Sequence, residues 1–252
     1  MLGSYRIRPV ASLLLAPLFT AFPATAQRPE ALSYRVEWLR IHAGNARLSW
    51  SRAPSGGAPG WRASLDLESA GLVSTFYKVN NRYSSILDDQ LCVTSSLLEA
   101  RERGRQRETQ VTFDRERGKA VYLERDLVKN SVADSHEIDV PACVHDVIGA
   151  LGRLRTMRLE TGQSTQIPVS DGKKSVLARV EAQERETVRT RTGSHKTIRY
   201  EAFLFDNVLY RRKGRLFVWL TDDDRKLPVQ IRMRLSLPIG TVTLQLEKEE
   251  KT

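Results

Sequence analysis

The sequence has few of the residues that mark several simple protein classes. Only two of its 252 residues are cysteine, four are histidine and 7% are aromatic. Two cysteines are too few for a small disulfide-built scaffold, and the scattered histidines do not match the ligand spacing of a zinc site. With 40% apolar and 28% charged residues, the composition also excludes a disordered tail, a coiled coil and a collagen-like chain.

Motifs of the common catalytic sites are also missing. The chain has no G-x-S-x-G elbow, no H-E-x-x-H pair and no glycine-rich phosphate loop. His145 and Asp146 are candidates for acid–base chemistry, and the acidic run 222–224 is a candidate for calcium, although a helix start and a plain turn explain them equally. The sequence therefore favours a protein that is not an enzyme, with no cofactor and no metal.

The N-terminus has the pattern of an export signal. Arg6 and Arg8 precede an apolar stretch that Pro17 interrupts, and small residues end at Ala26. This stretch is too short to span a bilayer of about 30 Å. We predict a signal peptide over residues 1–26, cleavage after Ala26 and a periplasmic or secreted protein with a single β-rich domain over 27–252.

The two cysteines are Cys92 and Cys143. An even pair in an oxidising compartment indicates one disulfide, which would close a long loop. Two separate buried thiols remain the alternative. A free exposed thiol is a liability outside the cell, so the bridge is favoured.

Most of the predicted mature chain alternates between apolar and polar residues with a period of two. Examples are Leu32 to Leu39 and Trp61 to Glu68, and short turn signals such as Gly44-Asn45 separate the segments. This pattern predicts a mostly β fold, an antiparallel meander that forms a curved sheet or an open barrel.

Two segments break the period of two. Apolar residues from Val144 to Met157 recur every three or four positions, which predicts one main helix near residues 142–158, wrapped by the sheet. Pro141 suits its first turn and Asp139 its cap. A short helical turn is predicted within residues 72–79.

Arginine supplies most of the positive charge of the chain, whose formal net charge is +10. It occupies alternate positions from Arg101 to Arg107, and Arg232 and Arg234 repeat the spacing. Each set is predicted to lie on one face of a strand. Such a face would attract an anionic partner, although an ordinary solvated face has the same pattern.

Three segments resemble motifs of one family of exported bacterial proteins. Residues 32–48 resemble an opening Y-x-V-x-W-x-x-I-x-A-G-x-A, residues 145–155 a helix D-x-x-x-A-L-x-x-L-R, and residues 218–240 a closing V-W-L-S-D-D-x-x-R-x-P-V followed by I-G. They are similar to the DUF3108 family, a domain of unknown function, over residues 31–247. The resemblance implies a β-rich exported protein and no particular activity. Its signature positions, of unknown role, are Trp38, Gly44, Asp146, Arg155, Trp219, Asp223, Pro228 and Gly240.

Three functions remain in competition. The first is a binding or carrier module for an apolar or anionic envelope ligand, a lipid or a glycan, in a groove inside the sheet. The aromatic residues that could line such a groove are Trp38, Trp50, Trp61, Phe76, Tyr77, Phe203 and Trp219. The second is an envelope scaffold that docks a partner protein through its arginine-rich faces, and the third is a hydrolase that uses His145, Asp146 or Asp223. Nucleic acid is not expected as a partner, no transmembrane segment is expected after cleavage, and the oligomeric state is open.

Overall fold

A computed structural model describes residues 30–250 of the chain. The predicted signal peptide and its cleavage site lie outside the described residues. Fourteen strands form one antiparallel sheet, accompanied by two helices, α1 (Gly71–Phe76) and α2 (Val147–Arg155). The strands are β1 (Glu30–Trp38), β2 (Ile41–Ser55), β3 (Ala58–Ser69), β4 (Val79–Asp88), β5 (Val93–Glu102), β6 (Arg105–Asp114), β7 (Lys119–Asp126), β8 (Ser131–Asp139), β9 (Ser164–Ser170), β10 (Ser175–Thr190), β11 (Gly193–Ala202), β12 (Gly214–Thr221), β13 (Pro228–Leu235) and β14 (Thr241–Glu250).

The strands form a meander with one non-sequential pairing. Strands β1 to β8 follow one another across the sheet, and so do β9 to β14. The two runs are joined by β1 and β14, which pair from Ala31 opposite Glu250 to Trp38 opposite Val242. The fold class predicted from the period of two, an antiparallel meander, is confirmed.

The sheet curls, so that strands far apart in its order face one another. Leu48 of β2, Ile167 of β9, Val180 of β10 and Leu244 of β14 all line one cavity. We call the face that carries these residues the concave face and the opposite one the convex face. Alternation along each strand produces the division: in β1, Leu32, Tyr34 and Val36 point to the concave face and are buried.

Helix α2 lies on the concave face and is shorter than the predicted span 142–158. It begins after Asp146, whose side chain accepts a hydrogen bond from the backbone N–H of Gly149. The predicted cap at Asp139 is wrong, because that residue ends β8. Glycine lets the helix approach its neighbours closely, since a Cβ at Gly149 would lie only 3.1 Å from the carbonyl oxygen of Leu91.

Residues 140–146 cannot join the helix because their backbone groups serve the sheet. The carbonyl of Val144 accepts from the N–H of Val93 at 2.8 Å. On the other side, the N–H of His145 donates to Pro168 at 3.0 Å and its carbonyl accepts from Ser170 at 2.9 Å. The disulfide between Cys143 and Cys92 holds the segment to the start of β5. Apolar spacing alone could not distinguish this extended bridge from a first helical turn.

The two edge strands, β8 and β9, are joined by side chains and not by a ladder. The ammonium group of Lys173, in the turn after β9, donates to Asp134 of β8 at 2.7 Å and lies 3.6 Å from Glu124 of β7. It also lies 4.5 Å from the centre of the Tyr122 ring. These contacts bring the edges together without closing the sheet.

An antiparallel meander places alternate connections at opposite ends of the sheet. We call one end the rim, which consists of residues 39–40, 70–78, 103–104, 127–130, 171–174, 203–213 and 236–240. We call the other end the base, which consists of residues 56–57, 89–92, 115–118, 140–163, 191–192 and 222–227. Helix α2 belongs to the base, and Arg155 near its end forms an ion pair with Glu30 and donates to the carbonyls of Arg225 and Lys226.

Reduction of the disulfide is expected to lower the free energy of unfolding by about 4 kcal/mol, because the bond closes a loop of 51 residues in the unfolded chain. Urea unfolding with and without dithiothreitol measures the difference. The double variant Cys92→Ser/Cys143→Ser should match the reduced protein and should not respond to dithiothreitol. Equal stability of the oxidised and reduced proteins would contradict the expectation.

Candidate ligand-binding site

Helix α2 covers only part of the concave face, and a cavity of about 580 Å³ lies beside it. Of the residues that line this apolar cavity, only Tyr210, Arg211 and Arg212 carry polar or charged groups. Its volume falls within the range of about 300–1,000 Å³ that is common for small-molecule sites. The remaining lining side chains are hydrocarbon, apart from the Met233 thioether, which is only a weak acceptor.

The wall on the helix side is formed by successive turns of α2. Val147, Ala150, Leu151 and Leu154 occupy positions three or four apart and therefore share one face of the helix. The sheet supplies the opposite wall: Leu48, Leu65, Ile167, Val169, Ala178, Val180, Ala202, Leu216, Val218, Ile231, Met233, Leu235 and Leu244. The walls thus come from distant parts of the chain.

The cavity reaches the surface at the rim. Arg211 and Arg212 line it and are exposed, and both lie in the connection between β11 and β12. The loop is folded on itself, since the N–H groups of Leu209 and Tyr210 donate to the carbonyl of Leu204 at 2.9 and 2.8 Å. Within residues 30–250, neither arginine has a carboxylate within ion-pair distance. Their charge is therefore available to a ligand.

A second cavity, of about 410 Å³, adjoins the first and shares four lining residues with it: Leu65, Val147, Ile148 and Tyr210. Its walls include polar groups, among them Tyr83 and Asp146. The Tyr83 hydroxyl donates to the Asp146 carboxylate. Burial, and then the charge of Asp146, raise the pKa of Tyr83 well above its ordinary value. Tyr83 is therefore a protonated donor at neutral pH.

Burial also affects two other groups at this second cavity. It raises the pKa of Tyr210 to about 12, so this hydroxyl is protonated as well. Burial opposes the charge of Lys173, but the hydrogen bonds and charges of Asp134 and Tyr122 together outweigh it and leave the Lys173 pKa above its ordinary value. Lys173 is a permanent cation at the edge of this cavity.

The signature positions lie across the molecule and do not form one site. At the rim, the Trp38 indole N–H donates to the carbonyl of Ile239, and Gly240 has a φ of +72° beside Leu39. Gly44 lies in β2, where any Cβ would collide with the carbonyl oxygen of Glu68. Each of these residues shapes the backbone.

The other signature residues have equally structural contacts. Asp223 accepts from the Thr221 hydroxyl at 2.7 Å and from two backbone N–H groups, so it orders the turn 222–227. The carbonyl of Pro228 accepts from the buried Tyr34 hydroxyl at 2.7 Å. Trp219 lies on the convex face, where its indole N–H donates to Glu186 at 2.7 Å. Asp146 caps α2 and Arg155 anchors its end.

His145 has no contacts of an acid–base catalyst. Its ring is buried and Nδ1 lies 2.7 Å from the Leu91 carbonyl oxygen. Burial lowers the pKa of His145, so it is neutral at neutral pH. Cys92 and Cys143 lie close to it, but their sulfurs are joined in the disulfide and offer no thiolate to a metal.

The predicted arginine ladders have different outcomes. Positions Arg101 to Arg107 do not share a strand, because β5 ends at Glu102 and β6 begins at Arg105. A hairpin turn therefore separates them, and that prediction is wrong. Arg232 and Arg234 do share β13, and their guanidinium groups lie 5.0 and 5.4 Å from the rings of Trp219 and Phe217 on the convex face.

The aromatic residues proposed for a groove do not line the apolar cavity. Trp50 and Trp61 are buried in the core, Trp219 is on the convex face, and Phe76 and Tyr77 are exposed on and beside α1. The aromatic residues that do line it are Phe205 and Tyr210. In the sequence, the signal for them was weak: both lie in the long connection 203–213, close to its basic residues 211–213.

Comparisons with known proteins find a matching family and a solved structure of similar fold. The model of a family described as "Protein of unknown function (DUF3108)" matches residues 33–247. A crystal structure of a β-barrel-like protein of the unknown-function domain DUF1849 from Brucella abortus is similar, with 11% identity, a TM-score of 0.57, and coverage of 89% of this chain and 98% of that one.

A candidate exported protein with a YmcC-like fold from Bacteroides fragilis has 8% identity and a TM-score of 0.34, with coverage of 90% and 97%. No curated protein matches.

Neither helix within residues 30–250 has the length and hydropathy needed to cross a bilayer.

The variant Asp146→Ala is expected to lower the free energy of unfolding by about 1–2 kcal/mol, because α2 loses its N-cap. Urea unfolding followed by circular dichroism measures this. Asp146→Asn retains a capping oxygen and should lose less stability. Tyr83→Phe removes only the hydrogen bond from the Tyr83 hydroxyl to Asp146 and so measures its separate contribution. If Asp146→Ala were as stable as the wild type, the cap would not hold the helix.

Proposed function

The chain belongs to the DUF3108 family of proteins of unknown function, and for this member we propose the binding of an anionic amphiphile. The apolar tail of the ligand occupies the apolar cavity, and its anionic head lies beside Arg211 and Arg212. The predicted signal peptide supports an exported protein, a compartment in which lipids of the cell envelope are available. No reaction is part of the proposal.

The observation that carries this proposal is the nearly complete lack of polar groups in the apolar cavity. A hydrocarbon chain gains about 0.8 kcal/mol for each buried methylene group. A glycan in the same place would leave its hydroxyl groups without hydrogen-bond partners, which costs several kcal/mol. Of the two ligand classes that the sequence left open, the cavity favours the lipid.

The two arginines at the rim end explain which end of the ligand lies outward. Their side chains are exposed, and the cavity behind them is apolar. An anionic head placed there remains hydrated and forms charge-assisted hydrogen bonds, while the tail leaves water. This arrangement combines the apolar and anionic ligand properties that the sequence favoured.

The scaffolding function has one observation in its favour, a polar groove of about 600 Å³ on the convex face that includes Arg40, Arg232 and Arg234. The neighbouring Arg199 and Arg215 already have acidic partners in Glu184 and Glu201. These pairs neutralise part of the positive charge beside the groove, so we rank this function second.

Saturated fatty acids from octanoate to hexadecanoate are the first probes. Affinity should rise about fourfold for each added methylene until the cavity is full, because each buried methylene contributes about 0.8 kcal/mol of binding free energy. Ala150→Phe, which places a ring in the cavity, should lower the affinity for the longest chains about tenfold or more. Ala133→Phe, at an exposed position of β8, is the matched control. Calorimetric affinities that are independent of chain length and of Ala150→Phe would refute a cavity site.

The double variant Arg211→Ala/Arg212→Ala tests the position of the head group. It should weaken binding of hexadecanoate about tenfold, because the carboxylate loses its charged donors at a partly solvated position. Hexadecanol has the same chain and no charge, so its affinity should not change. Equal losses for both ligands would show that the arginines act through packing and not through charge.

A further inference from the structure

The rim has a concentration of exposed apolar side chains. The described residues include 11 large apolar residues that are exposed. Seven of them lie in rim connections, and they are Leu39, Leu72, Phe76, Tyr77, Leu127, Val128 and Leu237. Phe76 and Leu237 are 79% and 88% exposed. None of these seven belongs to the wall of the apolar cavity.

The rim also carries an excess of positive charge. Its connections contain nine lysine or arginine residues against two acidic residues, Asp171 and Asp206. The nine are Arg40, Lys78, Arg103, Lys129, Lys173, Lys174, Arg211, Arg212 and Lys213, and all are exposed. The base has eight such cations against seven acidic residues. The two ends therefore differ strongly in charge.

The pairing of these cations differs even more. At the base, six of the eight form ion pairs, namely Arg115, Arg117, Arg155, Arg158, Arg191 and Arg225. At the rim, Lys173 alone pairs with an acid within residues 30–250. The other rim cations have no anionic partner within the described part of the chain, so an external partner of negative charge would complement them.

Contacts between neighbouring connections hold the rim together as one surface. Lys174 donates to the carbonyl of Asn207 at 2.6 Å, and Ser236 donates to Lys213 at 3.1 Å. Further around, Arg103 donates to the carbonyl of Lys78 at 3.1 Å. Exposed apolar side chains and unpaired cations are thus interspersed on one connected end, around the mouth of the apolar cavity.

We propose that the rim docks onto the surface of a bilayer that contains anionic phospholipid. Leu72 and Phe76 of α1 and Leu237 enter the boundary between head groups and acyl chains, and the unpaired cations contact the anionic head groups. Docking places the mouth of the apolar cavity against the membrane. It goes beyond the proposed ligand binding, because it depends on residues outside that cavity.

A second copy of the chain would not complement this surface. A symmetric dimer through the rim would bring two sets of unpaired cations together, and like charges across an interface are unfavourable. A bilayer with anionic head groups offers both opposite charge and an apolar layer. The combination of unpaired cations and protruding apolar side chains therefore favours the membrane.

Flotation with vesicles tests the docking. The full chain after signal removal should float with vesicles of phosphatidylglycerol and phosphatidylcholine, and much less with phosphatidylcholine alone. Lys78→Gln/Arg103→Gln should weaken this binding about 30-fold. Each cation near an anionic surface contributes about 1 kcal/mol of binding free energy, and the double variant removes two of them. Arg158→Gln/Arg191→Gln removes two paired cations from the base and should have no effect.

A matched pair of apolar variants tests the insertion. Phe76→Ser should weaken vesicle binding about tenfold, whereas Val121→Ser, at an exposed apolar position of β7 away from the rim, should not. Brominated lipids should quench the fluorescence of the tryptophan introduced by Phe76→Trp more than that of the tryptophan introduced by Val121→Trp. Circular dichroism and thermal unfolding confirm that the variants fold.

The outcomes separate docking from ligand binding. Rim variants that lose vesicle binding but still bind hexadecanoate support docking, and Ala150→Phe should show the reverse. No binding to anionic vesicles at low salt, equal binding of rim and base variants, or a concentration-dependent dimer that Phe76→Ser abolishes would overturn the proposal.

Discussion

A helix of nine residues is too short to fill the concave side of a sheet of 14 strands. At 1.5 Å per residue, α2 is about 14 Å long, and its start is delayed because residues 140–146 extend the sheet through their backbone groups. The helix packs near the base, where Arg155 anchors it. The concave face beyond it is therefore lined by apolar side chains without a protein partner, and the apolar cavity results from this mismatch.

The two ends of the sheet differ in what their residues contact. At the base, cations are paired with acids, the disulfide holds the segment before α2, and Asp223 orders its turn through side-chain and backbone contacts. At the rim, eight of the nine cations have no acidic partner within residues 30–250, and apolar side chains protrude. Intramolecular contacts stabilise one end, and the other retains the charge and apolar area that an external partner can use. Both proposals, a ligand in the cavity and a membrane at its mouth, depend on this asymmetry.

The signature positions predicted from the family resemblance maintain the fold and do not line the apolar cavity. Gly44 and Gly240 permit backbone geometry, Trp38 and Asp223 join segments through hydrogen bonds, and Asp146 begins α2. Each of these contacts needs a particular residue type, so the positions stand out as motifs in the sequence. The apolar cavity is lined by aliphatic residues, which exchange with one another at a small cost when volume is maintained. A motif search therefore finds the scaffold of this protein and passes over its cavity.

The sequence by itself determined the β meander, the existence of one amphipathic helix and the cysteine pair, because alternation, helical spacing and residue counts are local properties of the chain. It could not place the start of α2, since Val144 has the same spacing in an extended bridge as in a helix. It also misassigned Arg101 to Arg107 to one strand, although a turn at Arg103 and Gly104 divides them. Only the tertiary structure brought β2, α2 and β10 around one cavity and gathered the seven rim connections at one end. Those contacts depend on how far the sheet curls, which is set by the packing of all strands together.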